Sequence, residues 1–260
     1  MKLSIAVSNR DRLDPTTNIS KFFLKSLEKQ TFQDFELVVA DGGSKNIEQL
    51  KALEETLPFT FRVVSFIIGE KFERARLNNV GVRNSNNEYV LTTDVDMLFA
   101  PTFFENVMEI FKKHPKAFIE SRTMYLKNPW VKKYVYSGKI DPFKRPEDLR
   151  RFRLKKRTTA GGCQCMNIDQ WNNLRGFDEK YVGWGSEDYD LLTRVNKKGL
   201  QVVWLGESPE TVEVFHQPHF KSAEQVKIDL SCQNKNKRLL KKIGNNEVNV
   251  DGWGGKNENI

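Results

Sequence analysis

Four short apolar runs recur in the first hundred residues: Leu3 to Val7, Phe35 to Ala40, Phe61 to Ile67 and Tyr89 to Thr93. Between them lie segments with helical spacing of apolar residues, near Ile19 to Lys29, Ile47 to Thr56 and Glu73 to Asn84. Few folds accept this alternation. Strands separated by helices pair in parallel, and continuous apolar strands need helices over both sheet faces. The expectation is an α/β protein with a mostly parallel central sheet flanked by helices.

After residue 100 the pattern loosens. Pro101 to His114 reads as a helix opened by proline, followed by a stretch rich in Tyr, Lys and Pro with no clear period. Order returns at Ala160 to Met166, which reads as a strand, and at Ile168 to Leu174, a short helix. A further helix is expected from a cap at Ser186, through Leu191, Leu192 and Val195, to a stop at Gly199, with Lys197 and Lys198 favourably placed in its last turn. Thr211 to Phe215 is strand-like. The chain of 260 residues suits one elaborated domain over 1–220, with a helical extension and polar, mobile tail over 221–260.

A net charge of +8 implies an anionic partner. Basic residues concentrate between Lys144 and Arg157 and again between Lys235 and Lys242. No recognisable nucleic-acid-binding module accompanies them, so nucleic acid is not expected. Three cysteines, Cys163, Cys165 and Cys232, cannot all pair within one chain and read as free thiols. The apolar run at the amino terminus is too brief for a signal peptide, and no stretch is long enough to span a bilayer. The expected location is the cytoplasm, with peripheral contact at the inner face of an anionic membrane as a further expectation.

Two acidic clusters carry the chemistry. Asp94-Val95-Asp96 follows a strand-like run, and the carboxyl ends of strands are where open α/β sheets bind ligands. Read as extended chain, Asp94 and Asp96 share a face and converge on one hard cation. Glu187 and Asp188 lie instead at a helix amino terminus, where the dipole favours their ionised form. An ionised Asp in a cleft can take a proton from a hydroxyl, and Trp184 offers a flat apolar face suited to a sugar ring.

Four blocks in order resemble the GT-A glycosyltransferases: Ser8-Asn9-Arg10, Phe72 to Gly81, Asp94-Val95-Asp96, and Gly183-Trp184-Gly185-Ser186-Glu187-Asp188-Tyr189-Asp190. Among them the chain is similar to family 2 enzymes, β-1,4-galactosyltransferases, GalNAc-transferring enzymes and chondroitin-polymerising domains, over roughly residues 1–220. The resemblance implies a GT-A, Rossmann-like fold, with a nucleotide-sugar half over 1–100 and an acceptor half over 101–220. Ser8, Arg10, Asp41, Arg74, Asp94, Val95 and Asp96 would meet a UDP-sugar. Asp96 and His216 would bind Mn²⁺ or Mg²⁺, with His219 the alternative to His216. Trp184, Glu187 and Asp188 would hold a glycan or lipid-linked acceptor, Asp188 as catalytic base, with Asp190 structural.

The implied reaction is inverting transfer of a hexose or N-acetylhexosamine from a UDP-sugar to an acceptor hydroxyl. A non-catalytic module for anionic glycan or nucleic acid is one rival. A sugar nucleotidyltransferase is another, but the glycine-rich loop it needs after the first strand is missing from Ser8-Asn9-Arg10-Asp11-Arg12.

Overall fold

A computed structural model describes residues 1–154, 159–219, 221–242 and 248–255. The first half alternates as its periodicity requires: β1 (Leu3–Asn9), α1 (Asn18–Glu28), β2 (Phe35–Asp41), α2 (Ile47–Lys51), β3 (Thr60–Ser65), α3 (Arg74–Arg83) and β4 (Tyr89–Thr93). There follow β5 (Met97–Phe99), α4 (Phe103–Lys113), β6 (Phe118–Tyr125), α5 (Asn128–Trp130), β7 (Thr159–Asn167), α6 (Ile168–Leu174), α7 (Glu187–Lys197), β8 (Val202–Leu205), β9 (Val214–His216) and α8 (Ala223–Lys242).

One nine-stranded sheet runs in the order β3-β2-β1-β4-β7-β6-β9-β5, with β8 also paired to β6. Strands β1 to β4 pair in parallel; β7 is antiparallel to both β4 and β6, and β5 to β9. The sheet is therefore mixed. Alternate side chains of β1 and β2 serve opposite faces, as the two-residue period demands. Ile5, Val7, Leu37 and Val39 meet Phe23, Leu27, Phe104 and Phe111 on one face, while Ala6 and Val38 face the other. Gly81 lets α3 approach the sheet closely: a Cβ there would lie 3.0 Å from the Cβ of Ala6.

The structure supplies a strand where the sequence shows no period. Strand β6 lies inside the sheet, and its polar Glu120, Ser121 and Thr123 are buried. Polar side chains at internal positions hide the alternation by which strands are recognised. The last strand also shifts: β9 begins at Val214, and Thr211 instead closes a turn onto Ser208. The tail differs as well. Val248 is buried, Asn249 donates to the carbonyls of Arg175 and Phe177 at 2.7 Å, and Trp253 lies beneath the Arg83 guanidinium. Residues 248–255 are thus docked, and Trp253 packs beside α3. Lys155, Lys156 and Arg157 of the basic segment lie outside the described residues.

Candidate active site

Strand register assembles the first part of the site. Asn9 of β1 stands opposite Asp41 of β2, and Val7 opposite Thr93 of β4, so Ser8, Asp41 and Asp94 share one sheet edge. Asp41 is turned inward: it accepts from Asn9 Nδ2 at 2.7 Å and from the backbone N–H groups of Gly43 and Ser44. Arg10 donates to the carbonyls of Gly69 and Glu70 at 2.7 and 2.8 Å, holding the loop before α3 over this edge. Ser8 is buried with its hydroxyl unbonded among the described residues, and Val95 is buried.

Asp94 and Asp96 do not converge. The chain turns after Thr93 rather than staying extended, and this sends the two carboxylates to different partners. Asp94 forms a two-pronged pair with Arg74, through Nε at 2.8 Å and Nη2 at 3.2 Å. Asp96 is buried, and its Oδ2 faces Arg12 Nη1 at 3.3 Å, His219 Nδ1 at 3.2 Å and His216 Nε2 at 3.5 Å. Burial alone would raise the Asp96 carboxyl, but His216, His219 and Arg12 outweigh it and hold it below the usual carboxylate range. His216 moves down, chiefly because it is buried.

Both histidines reach Asp96 for reasons of register and turn. Strands β5 and β9 pair Met97 with His216, while Gln217 N–H donates to the Asp96 carbonyl at 2.9 Å and directs the following turn back over the carboxylate. The His216 ring stacks on Tyr125 at 4.3 Å. One ligand atom from each of Asp96, His216 and His219 lies within 4.8 Å of the others. Asp96 Oδ1 and His219 Nδ1 are buried without a hydrogen bond among the described residues. A carboxylate and two imidazoles gathered this closely fit a divalent cation.

The second acidic cluster meets the first through Arg74. Its Nη1 donates to Glu187 Oε1 at 2.8 Å and to Asp188 Oδ1 at 2.9 Å, so one buried guanidinium holds three carboxylates. Burial opposes its charge, but Asp94, Asp188 and Glu187 more than compensate, and Arg74 stays cationic. The helix start is not the only influence on Asp188: burial raises its carboxyl, Arg74 opposes this through the ion pair, and Glu187 adds repulsion.

Ser186 occupies the N-cap position of α7 but makes no capping hydrogen bond. Its φ of 81° lies in the left-handed region, between Gly183 and Gly185 at 77° and 100° on one side and the helix on the other. That is the conformation for which glycine is best suited. Gly183 also lets the loop pass against Cys232 of α8. Trp184 is 47% exposed with Lys221 Nζ 5.2 Å from its ring, leaving a ring face for a ligand. Asp190 is fully buried and paired with Arg194 at 2.8 Å, which fits a structural role.

The free cysteines are all buried, with Cys163 and Cys165 in the core of β7. Sequence reading passed over Arg12, Gly161 and Glu120. Gly161 has φ 89°, and a Cβ there would run into the Asp188 carboxylate. The pair Gly161-Gly162 inside β7 was the available signal for it; Arg12 and Glu120 had none.

The family 2 glycosyl transferase model matches residues 20–169. The chain belongs to glycosyl transferase family 2. A model described as the N-terminal domain of galactosyltransferase matches residues 142–219, the stretch that carries Trp184, Glu187, Asp188, His216 and His219. This family 2 chain is 27% identical over 220 residues to chondroitin synthase of Escherichia coli, covering 71% of this chain and 32% of that one. It is 28% identical over 169 residues to human β-1,4-galactosyltransferase 4, covering 62% and 40%. The chain thus spans about a third of the length of these curated relatives. Among solved structures, Staphylococcus aureus TarS 1-349 in complex with UDP-GlcNAc superposes with a TM-score of 0.60 at 14% identity, over 93% of this chain and 71% of that one. The fold is GT-A. Among the described residues no helix is long and apolar enough to cross a membrane.

Proposed function

We propose that this chain is a metal-dependent inverting glycosyltransferase that moves a hexose or N-acetylhexosamine from a UDP-sugar to a hydroxyl of a glycan or lipid-linked saccharide. The observation that carries the reading is the Arg74 guanidinium shared by Asp94, Glu187 and Asp188, which joins a sheet-end cluster to a helix-start cluster in one cleft. A two-substrate transferase needs that adjacency.

In this reading residues 1–100 form the donor half and residues 101–220 the acceptor half. Ser8, Arg10, Asp41, Arg74, Asp94, Val95 and Asp96 border the nucleotide sugar. Asp96, His216 and His219 hold the cation, and two imidazoles favour Mn²⁺ over Mg²⁺, which prefers oxygen ligands throughout. The cation, when bound, neutralises charge on the departing diphosphate. Trp184 carries the apolar face of the acceptor sugar and Glu187 accepts from its hydroxyls. Asp188 takes the proton of the attacking hydroxyl, help worth about 10²–10⁴-fold in rate.

Nine basic residues against three acids between 127 and 154 make the surface around α5 strongly cationic, and Trp130 is exposed there. Peripheral contact with anionic lipid, at about 1 kcal/mol per well-placed Lys or Arg, suits a lipid-linked acceptor. Sedimentation with vesicles that ignores their anionic content would remove this part.

Incubation with a panel of UDP-sugars and Mn²⁺ tests the main reading by release of UDP. Pyrophosphate formation would point to a nucleotidyltransferase, and salt-sensitive glycan binding without turnover to a binding module.

A further inference from the structure

Glu120 is an acid in the middle of the sheet, 1% exposed, with no part in the donor or acceptor assignments. Its Oε1 accepts the Gly161 N–H at 2.7 Å and its Oε2 accepts Gln164 Nε2 at 2.9 Å. Gly161 in turn forms the seat of Asp188: a Cβ there would press on that carboxylate, and its φ of 89° favours glycine. Its carbonyl also faces Arg74 Nη2 at 3.4 Å. Glu120 and Asp188 border the same small void, together with Ala160, Gly161, Tyr189 and Leu192. A carboxyl here is expensive to bury, and an apolar side chain would avoid that desolvation.

We propose that Glu120 is a positioning residue for Asp188: it fixes Gly161 beneath the base and sets, by its charge across the void, the pH at which the base ionises. This rests on the reading of Asp188 as catalytic base. The groups facing Asp188 are Arg74 of α3, Glu187 on its own helix, Asp94 after β4 and Glu120 of β6. Those facing Glu120 are Gly161 and Gln164 of β7, Arg122 on its own strand, and Arg74. Burial pushes the Glu120 carboxyl up to about 7, against the lowering effect of its hydrogen bonds and both arginines. Near neutrality it carries a fractional negative charge, which adds to that of Glu187 in opposing ionisation of Asp188.

The test is Glu120→Gln. The amide oxygen can still accept from Gly161, and its NH₂ can donate to Gln164 Oε1, which is buried and unbonded among the described residues. Position is kept and charge removed. Loss of a nearby negative charge makes Asp188 easier to ionise, so the acid limb of kcat/KM should move down by about one pH unit. The plateau should stay within roughly threefold. Glu120→Ala also frees Gly161 and should lower the plateau by about tenfold or more. Should Glu120→Gln not fold, Glu120→Asp, which keeps the charge, should leave the limb in place while lowering the plateau. An acid limb unmoved in Glu120→Gln, together with an unmoved Asp188 carbon-13 carboxyl titration, would overturn the proposal. A shifted Asp188 titration with an unmoved rate profile would leave the electrostatic pairing standing and remove Asp188 from the base role.

Discussion

Arg74 Nη1 lies 2.9 Å from Asp188 Oδ1, an ion pair between residues 114 positions apart. The same guanidinium grips Asp94, so the proposed base is tied to the end of β4. Anything that moves Asp94, including an arriving donor, acts on Asp188 through one side chain.

Removing Arg74 should therefore damage folding as well as activity. Arg74→Ala leaves three carboxylates, two of them half-buried and one fully buried, without their shared cation. Breaking such a pair from one side costs about 3–5 kcal/mol. Urea unfolding of the variant should show a lowered midpoint; an unchanged midpoint would mean that the three acids find other partners.

Asp188→Asn should keep the contact with Arg74 through its amide oxygen while losing the proton acceptor. Turnover is expected to fall by about 10²–10⁴-fold with donor affinity within roughly twofold. Near-wild-type transfer would remove Asp188 from the base role.

Arg12 pairs with Asp96 Oδ2, the oxygen that both histidines face, so it would compete with a cation held there. Arg12→Gln should bind Mn²⁺ alone several times more tightly by calorimetry, whereas Asp96→Ala should lose Mn²⁺-dependent UDP binding. His219→Ala and His216→Ala should each weaken Mn²⁺, by roughly tenfold or more if both are ligands. UDP affinity with Mn²⁺ unchanged in Asp96→Ala would refute the metal assignment.

Ser186→Gly should stabilise the chain. Serine in the left-handed region costs on the order of 1 kcal/mol, and its hydroxyl returns no capping bond. Thermal unfolding of the variant should shift upward by a few degrees.

Stability should also fall from pH 5 to pH 8 through Glu120. Its folded carboxyl titrates at about 7, above the ordinary value of 4.5. Between those values the unfolded chain has released a proton that the folded chain retains, so this contribution is complete below about 4.5 and lost as pH rises through 7. The full effect is on the order of 3 kcal/mol. Urea titrations at both pH values should show a smaller drop in Glu120→Gln than in the parent; equal drops would place the Glu120 titration elsewhere.

Much of the fold was legible because it is written in local periodicity. Tyr89–Thr93 and Ile168–Leu174 fall where apolar spacing put them, and α3 and α7 lie within a residue or two of expectation. Strand β6 was not legible, because Glu120 and Thr123 are polar groups buried by partners on distant strands. The aspartates and Trp184 were singled out by their motifs, while the partners of Asp94 and Asp96 came only with the fold. His219 could be offered only as a substitute for His216, whereas the turn through Gln217 brings both to Asp96.

By itself, then, the sequence determined the order of strands and helices, the glycine-rich approach to α7, and the two acidic clusters, all properties of neighbours along the chain. Tertiary structure alone decided which carboxylate meets which cation. Arg12 is 84 residues from Asp96 and Arg74 is 113 from Glu187, and only folding brings these charges together away from water. Burial and proximity then separate three similar acids: Asp96 is lowered by His216, His219 and Arg12, Asp94 is gripped by Arg74, and Asp188 is raised by burial and by Glu187 against the pull of Arg74.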